Sequence, residues 1–345
     1  MIEYLELSDF RNFRQREFRF SSSDLVLTGP NGSGKTSVLE ALGYLSILRS
    51  FRGAGTKELV RIGEKKFTLK CRLAEGSVKS TLQVSEELSG RRELWIGGEK
   101  PGRSSDFIRE FRTVAFVPED REIVSGSSGR RRRFFDMLIS SVDPLYLRAL
   151  SDYMRALAQR NRALKSSRPE TAVFFDEELA LRAPEIRAKR LKYAALLSEE
   201  VNSLLGPSGA SFEIRFLSDS SMESEENLRL LKKNFPREKQ RGCTLSGPQL
   251  DEFEFRYDGK IMRNFGSTGQ KGLIALLLKL AEFDIVRRES SESVAVLADD
   301  VLGDLDRNNA ELFLDVVKKA DQRFFTFAEI PAFGGFDGFE RITLP

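Results

Sequence analysis

The run Gly29-Pro30-Asn31-Gly32-Ser33-Gly34-Lys35-Thr36 constrains this chain more than any other feature. It follows Asp24 to Thr28, which reads as a buried strand, and precedes Lys35 to Leu48, where apolar residues recur at helical spacing. Strand, glycine-rich loop and helix in that order form a phosphate-binding loop. Glycine at 29, 32 and 34 lets backbone N–H groups turn toward phosphate oxygens, and the helix beyond adds its positive end. Lys35 is then expected at the β- and γ-phosphates and Thr36 on Mg²⁺, which makes ATP with Mg²⁺ the expected ligand. A glycine turn that matches by chance is the plain alternative, and the flanking strand and helix count against it.

Downstream, Val294-Ala295-Val296-Leu297-Ala298 is an apolar strand that ends in Asp299-Asp300. Ligands of open α/β sheets collect at the carboxyl ends of strands. Asp299 is expected to hold Mg²⁺, directly or through water, and Asp300 to orient or deprotonate an attacking water; with Lys35 they are the catalytic candidates. In isolation such a pair is also a helix cap or a solvated turn. Before it, Ser267-Thr268-Gly269-Gln270-Lys271 opens a helix and offers a second anion site. Ser267, Gly269 and Gln270 therefore join the nucleotide-binding candidates, although a simple N-cap accounts for the same residues.

The 345 residues, 40% hydrophobic and 31% charged, suit one large core with room for a second lobe. There is no histidine, which removes imidazole metal ligands and every Ser-His or Cys-His arrangement. Catalysis is left to carboxylates, lysine, arginine or metal-bound water. Cys71 and Cys243 lie far apart and are expected as small core residues. The longest apolar run, Leu273 to Leu278, falls well short of the ~20 residues that cross a bilayer. The opening MIEYLELSDF has no basic segment followed by an apolar stretch, so the chain is expected in the cytoplasm without a membrane partner. A net charge of +3 means that any nucleic-acid surface must be local.

Strands are expected at Ile2 to Leu7 and Glu17 to Phe20, and those at Phe67 to Leu73, Ser80 to Val84 and Arg92 to Ile96 are expected to form an antiparallel sheet beside the loop. From Gly129 to Leu205 the spacing is helical. Strand character returns at Ser211 to Phe216, followed by helices at Glu223 to Lys233 and Gly269 to Arg288. A helix at Arg307 to Lys319 and a strand at Arg323 to Phe327 then complete an αβ repeat after the acidic strand. The expected organisation is an α/β ATPase domain from 1–120 and 206–345, with an inserted helical lobe at 121–205.

The order of P-loop, Ser-x-Gly-Gln, acidic strand and Gly303-Asp304-Leu305-Asp306 resembles the ATP-binding-cassette ATPases, in their SMC-like branch. Leu7-Ser-Asp-Phe-Arg-Asn-Phe13, Phe116-Val-Pro-Glu-Asp120, Gly129-Arg-Arg-Arg-Arg-Phe-Phe-Asp136 and Tyr153 to Lys165 resemble the RecF family. The resemblance implies an ABC/SMC-type P-loop ATPase head with an antiparallel β subdomain and an inserted helical lobe. It implies two ATP molecules sandwiched in an ATP-dependent homodimer, with Ser267 and Gly269 acting on the partner's nucleotide and Asp304 and Asp306 coupling the two sites. It also implies slow hydrolysis, binding of duplex DNA and single-stranded/duplex junctions, recombinase loading at gaps, and RecO and RecR as partners. Gly247-Pro248-Gln249-Leu250-Asp251-Glu252 departs from the family's Gly-Pro-His-Arg-Asp-Asp, and Thr326 stands near the place of a switch histidine.

Arg130, Arg131, Arg155 and Arg160 are the DNA-contact candidates, within a basic helical stretch that includes Arg162 and Lys165. A solvated helix face with local salt bridges gives the same pattern. The alternatives to DNA repair are an ATP-binding scaffold and an ABC-type ATPase subunit that does not act on DNA.

Overall fold

Hydrophobic alternation builds the first sheet. In β1 (Ile2–Phe10) Ile2, Leu5, Leu7 and Phe10 are buried, and the strand pairs antiparallel with β2 (Phe13–Arg19). β3 (Asp24–Thr28) buries Leu25, Val26 and Leu27 completely and leads through the glycine loop into α1 (Lys35–Ile47). Each such aliphatic side chain contributes about 1.5–3 kcal/mol by leaving water. A short α2 (Thr56–Leu59) precedes β4 (Lys66–Glu75), β5 (Val78–Glu87) and β6 (Arg92–Ile96), giving the sheet order β2-β1-β4-β5-β6. A short α3 (Ser104–Ile108) and β7 (Arg112–Phe116) follow. The computed structural model describes residues 1–75, 78–108, 110–206, 210–218, 221–290, 292–331 and 335–345.

The middle of the chain holds α4 (Arg121–Ser125), α5 (Ser128–Val142), α6 (Pro144–Leu164) and the long α7 (Asp176–Leu205). Asp143 caps α6, its carboxylate accepting from the N–H groups of Leu145 and Tyr146, with Pro144 in the first turn. Then come β8 (Phe212–Leu217), α8 (Ser224–Arg241), β9 (Glu252–Tyr257), β10 (Lys260–Ile261), α9 (Met262–Phe265) and α10 (Thr268–Glu289). The strands form a separate sheet in the order β10-β9-β8. Phe135 of α5 stacks on Phe253 of β9 with ring centroids 3.6 Å apart.

The last part supplies β11 (Val294–Asp299), α11 (Arg307–Val317), β12 (Gln322–Phe327) and β13 (Glu340–Thr343). They complete a parallel sheet of order β13-β3-β12-β11-β7. The buried Gln322 side chain ties this sheet to β1: it accepts from the Ile2 N–H at 2.7 Å and donates to the Ile2 carbonyl at 3.0 Å. Cys71 is fully buried, whereas Cys243 is only half-buried, because it follows the exposed end of α8.

The chain divides into two compact units, Met1–Asp120 with Glu282–Pro345, and Arg121–Ala281. The chain leaves the first unit after residue 120 and returns to it at 282, so residues 206–281 group with the helices that precede them. The reason is packing: β8 and α8 both lie on α7, and β9 lies on α5, so residues 206–281 share the core of the inserted helices.

Candidate functional site

The glycine loop takes backbone conformations closed to other residues. Gly29, Gly32 and Gly34 have φ of 148°, 86° and 100°. Gly34, the N-cap of α1, is also hemmed in: a Cβ there would lie 2.5 Å from the Phe13 ring. The α1 N-terminus therefore stays open to an anion. The Lys35 ammonium is held at the loop by the carbonyls of Gly29 at 2.6 Å and Pro30 at 3.0 Å, partners that phosphate oxygens can replace.

Register delivers the carboxylates. In the parallel sheet Asp299 pairs with Thr326, and Phe327 pairs with Thr28, so the ends of β11, β12 and β3 form one rim. On that rim the Asp299 carboxylate accepts from the hydroxyls of Thr36 at 3.0 Å and Thr326 at 2.7 Å. Burial lifts the Asp299 carboxyl above the ordinary carboxylate value, while the two hydroxyls pull it back. Asp300 is exposed and has a left-handed backbone, φ 52°, fixed by its N–H donating to the Thr326 hydroxyl at 3.1 Å. Thr36 and Asp299 thus offer adjacent hard oxygen donors of the kind that suit Mg²⁺, and bound Mg²⁺ would neutralise phosphate charge there.

A cleft of about 650 Å³ opens over these residues, lined also by Arg11, Asn12, Asn31, Arg52, Glu119 and Ile62. The Arg11 guanidinium grips the buried Glu40 carboxylate of α1 with two hydrogen bonds, 2.7 and 2.8 Å, and so pins the β1–β2 turn beside the loop. Arg52 and Glu119 pair at 2.7 Å within the same cleft. In the sequence, Arg11 and Glu119 stand only inside family-like segments and carry no role of their own, and Arg52 and Ile62 belong to no motif. Their signal is three-dimensional, since no local pattern links them to the loop.

In the second unit, Ser267, Thr268, Gly269 and Gln270 are all exposed at the start of α10. Ser267 and Gln270 form a capping box: the Ser267 hydroxyl accepts from the Gln270 N–H at 3.2 Å, and the Gln270 side chain accepts from the Ser267 N–H at 3.0 Å. The N-cap account therefore holds, and it leaves an exposed helix N-terminus with open space around Gly269. The Asp304 side chain lies outside the described residues, and Asp306 caps α11 through the Asn309 N–H at 3.0 Å.

Two of the arginines expected at DNA are elsewhere. Arg160 is fully buried, donates to Asp176 at 2.7 Å and to the Thr244 hydroxyl at 2.9 Å, and is ion-paired with Glu238 at 2.8 Å, so it reaches no external phosphate. Arg131 is 3% exposed and forked onto Glu252. Both sit on inward helix faces, where a charge must be paired. Arg130 and Arg155 remain at the surface, beside Glu122 at 2.7 Å and Asp152 at 3.5 Å.

Residues 1–328 match the sequence family described as the RecF/RecN/SMC N terminal domain. The chain is 32% identical to the DNA replication and repair protein RecF of Lactobacillus gasseri, across 94% of this chain and 91% of that protein. The chain belongs to the RecF family. Among solved structures, it is similar to one described as the recombination mediator protein RecF-ATPrS in the RecFOR pathway: TM-score 0.85, 27% identity, 96% of this chain and 93% of that one. An Smc head bound to the C-winged helix domain of ScpA, at 16% identity, 99% and 94% coverage and TM-score 0.52, shares the fold. The architecture is thus that of an ABC/SMC-type P-loop ATPase head, as RecF-like sequence segments imply.

Proposed function

We propose that this chain is a Mg²⁺-dependent, DNA-binding ATPase of recombinational repair and replication. The observation that carries the reading is the single rim on which the P-loop, Thr36, Asp299 and Asp300 converge in a RecF-type fold. Gly29 to Thr36 cradle the triphosphate, Lys35 neutralises its terminal charge, Thr36 and Asp299 hold the metal, and Asp300 orients water. Ser267, Gly269 and Gln270 of a second copy close over the same nucleotide, so ATP favours a homodimer through contacts the open form lacks. Slow hydrolysis reopens the dimer. On duplex DNA and at single-stranded/duplex junctions, the closed form loads recombinase with RecO and RecR in the cytoplasm.

The test is association with and without ATP and Mg²⁺ for the wild type, Lys35→Ala and Ser267→Arg. Only the wild type should dimerise. A wild type that stays monomeric with ATP bound at micromolar concentration sinks the sandwich. One observation favours a second reading, an ATP-binding scaffold without turnover: the hydroxyl of Thr326 occupies the rim of a chain that has no histidine. Phosphate release that is equal in the wild type and Asp300→Asn selects it.

A further inference from the structure

The surface of the second unit concentrates cations on α8, which holds none of the four arginines expected at DNA, and at the end of α6. Along α8, Lys232, Lys233, Arg237, Lys239 and Arg241 are all exposed. The one carboxylate in that stretch, Glu238, is fully buried and ion-paired with Arg160 at 2.8 Å. From 232 to 241 the outward side of α8 therefore carries positive charge alone, and none of the five cations makes an ion pair among the described residues; the exposed Glu225 and Glu226 lie in the first turn. Lys233, Arg237 and Arg241 follow one another about one turn apart on a single flank.

A second element extends the patch. The end of α6 lies against the end of α8: Asn161 accepts from the Thr244 N–H at 2.8 Å, and the Lys165 stem would touch a Cβ at Gly242 at 3.0 Å. Arg162, Lys165 and the following Arg168 are exposed there, again without an ion pair among the described residues. Cations at helix C-termini are favoured by the helix dipole alone, by about 0.3–1 kcal/mol each. That accounts for Lys239, Arg241 and Arg162. It does not account for Lys232 and Lys233 in the middle of α8, or for Arg168 beyond the end of α6.

We propose that this joint α6–α8 surface is the seat of the duplex DNA backbone, contacted through Lys233, Arg237, Arg241, Arg162 and Lys165. The inference rests on the DNA-binding reading above and says which face carries it. Unpaired, solvated lysines and arginines take the place of condensed counterions on the phosphates at little desolvation cost, and the release of those counterions drives sequence-independent duplex binding. Arg130 and Arg155, each already beside a carboxylate, contribute less.

The experiment titrates the full-length chain with a fluorescent duplex at several salt concentrations, with ATP and Mg²⁺. Lys233→Gln/Arg237→Gln/Arg241→Gln should weaken binding about tenfold or more and lower the salt slope by about three. Arg162→Gln/Lys165→Gln should lower the slope by about two. Arg130→Gln/Arg155→Gln should change affinity less than either. ATP affinity and melting temperature, measured in parallel, identify a misfolded variant, in which case the Arg162/Lys165 pair decides. Variants that fold, bind ATP and keep wild-type duplex affinity and slope overturn the proposal. So does a wild type that binds polyglutamate as tightly as duplex with the same slope. A wild type that binds no duplex at low salt refutes the DNA reading itself, a distinct outcome.

Discussion

The P-loop cleft and the arginine cluster of the second unit handle charge in opposite ways. In the cleft, among the described residues, Lys35 is hydrogen-bonded to the carbonyls of Gly29 and Pro30, and the Asp299 carboxylate accepts from two hydroxyls. Their charges remain available to a ligand. In the second unit, Arg187 and Arg190 are buried and share Asp251, which accepts from Arg187 at 3.2 Å and from Arg190 at 2.8 Å. Arg190 also binds Asp136 at 2.8 Å and the Pro248 carbonyl at 2.6 Å. These charges are spent on holding α5, α7 and the Gly247–Glu252 segment together. Opposed by burial, the surrounding carboxylates keep the Arg190 guanidinium firmly protonated. Residue type is the same in an interior strut and in a ligand contact, and burial separates the roles.

The strongest way to break this contrast is Asp251→Ala. It removes the carboxylate that two buried guanidiniums share, from Arg187 at 3.2 Å and from Arg190 at 2.8 Å, which costs about 3–5 kcal/mol. Urea denaturation should show a large fall in midpoint, and a shift equivalent to less than ~1 kcal/mol would mean the cluster relaxes into water. Lys35→Ala is the opposite case. It should weaken nucleotide binding by about 10- to 100-fold, the worth of a charge-assisted hydrogen bond, while leaving the urea midpoint nearly unchanged. A fluorescent ATP analogue titrated beside a melting curve reads both. If stability falls as far as affinity, Lys35 is a strut as well.

Thr326→Val sharpens the comparison inside the cleft itself. It keeps the shape of β12 but removes the hydroxyl that donates to Asp299 and accepts from the Asp300 N–H. Loss of stability should be about 1–2 kcal/mol. ATP turnover should fall further than ATP affinity, because Asp300 loses one of the bonds that fix its left-handed backbone. Equal falls in both would assign Thr326 to binding alone.

What the sequence reveals follows the same division. The loop, β3, β6 and β11 are legible because their signals are local: glycine spacing, an apolar run, a carboxylate at a strand end. β13 has four residues and is recruited to β3 by backbone pairing across the length of the chain. β9 does alternate phenylalanine with charged residues in Glu252–Tyr257, but it stands beside the Gly247-Pro248 turn signal, and its partner β8 lies on the far side of α8. The Arg11 fork onto Glu40 is invisible locally, since each residue alone reads as a solvated charge. The departure at Gln249-Leu250 acquires a meaning only in three dimensions: Gln249 accepts from the Tyr153 hydroxyl and donates to the Ser246 carbonyl at 2.9 Å, while Leu250 is exposed. The segment is thus anchored by Gln249 and Asp251 on either side of a surface residue.

The smallest effect separates two arginines of one helix. Arg155 and Arg160 both lie on α6, and both look like DNA contacts in the sequence. Arg155 is 69% exposed and 3.5 Å from Asp152, a surface pair whose loss costs at most about 0.5 kcal/mol. Arg155→Ala should therefore leave the urea midpoint within error, whereas Arg160→Ala, which strands Asp176 and Glu238 in the interior, should fall in the range of Asp251→Ala. Equal stability losses would contradict the burial of Arg160. A stable Arg160→Ala that loses duplex binding would return that guanidinium to the surface and to DNA.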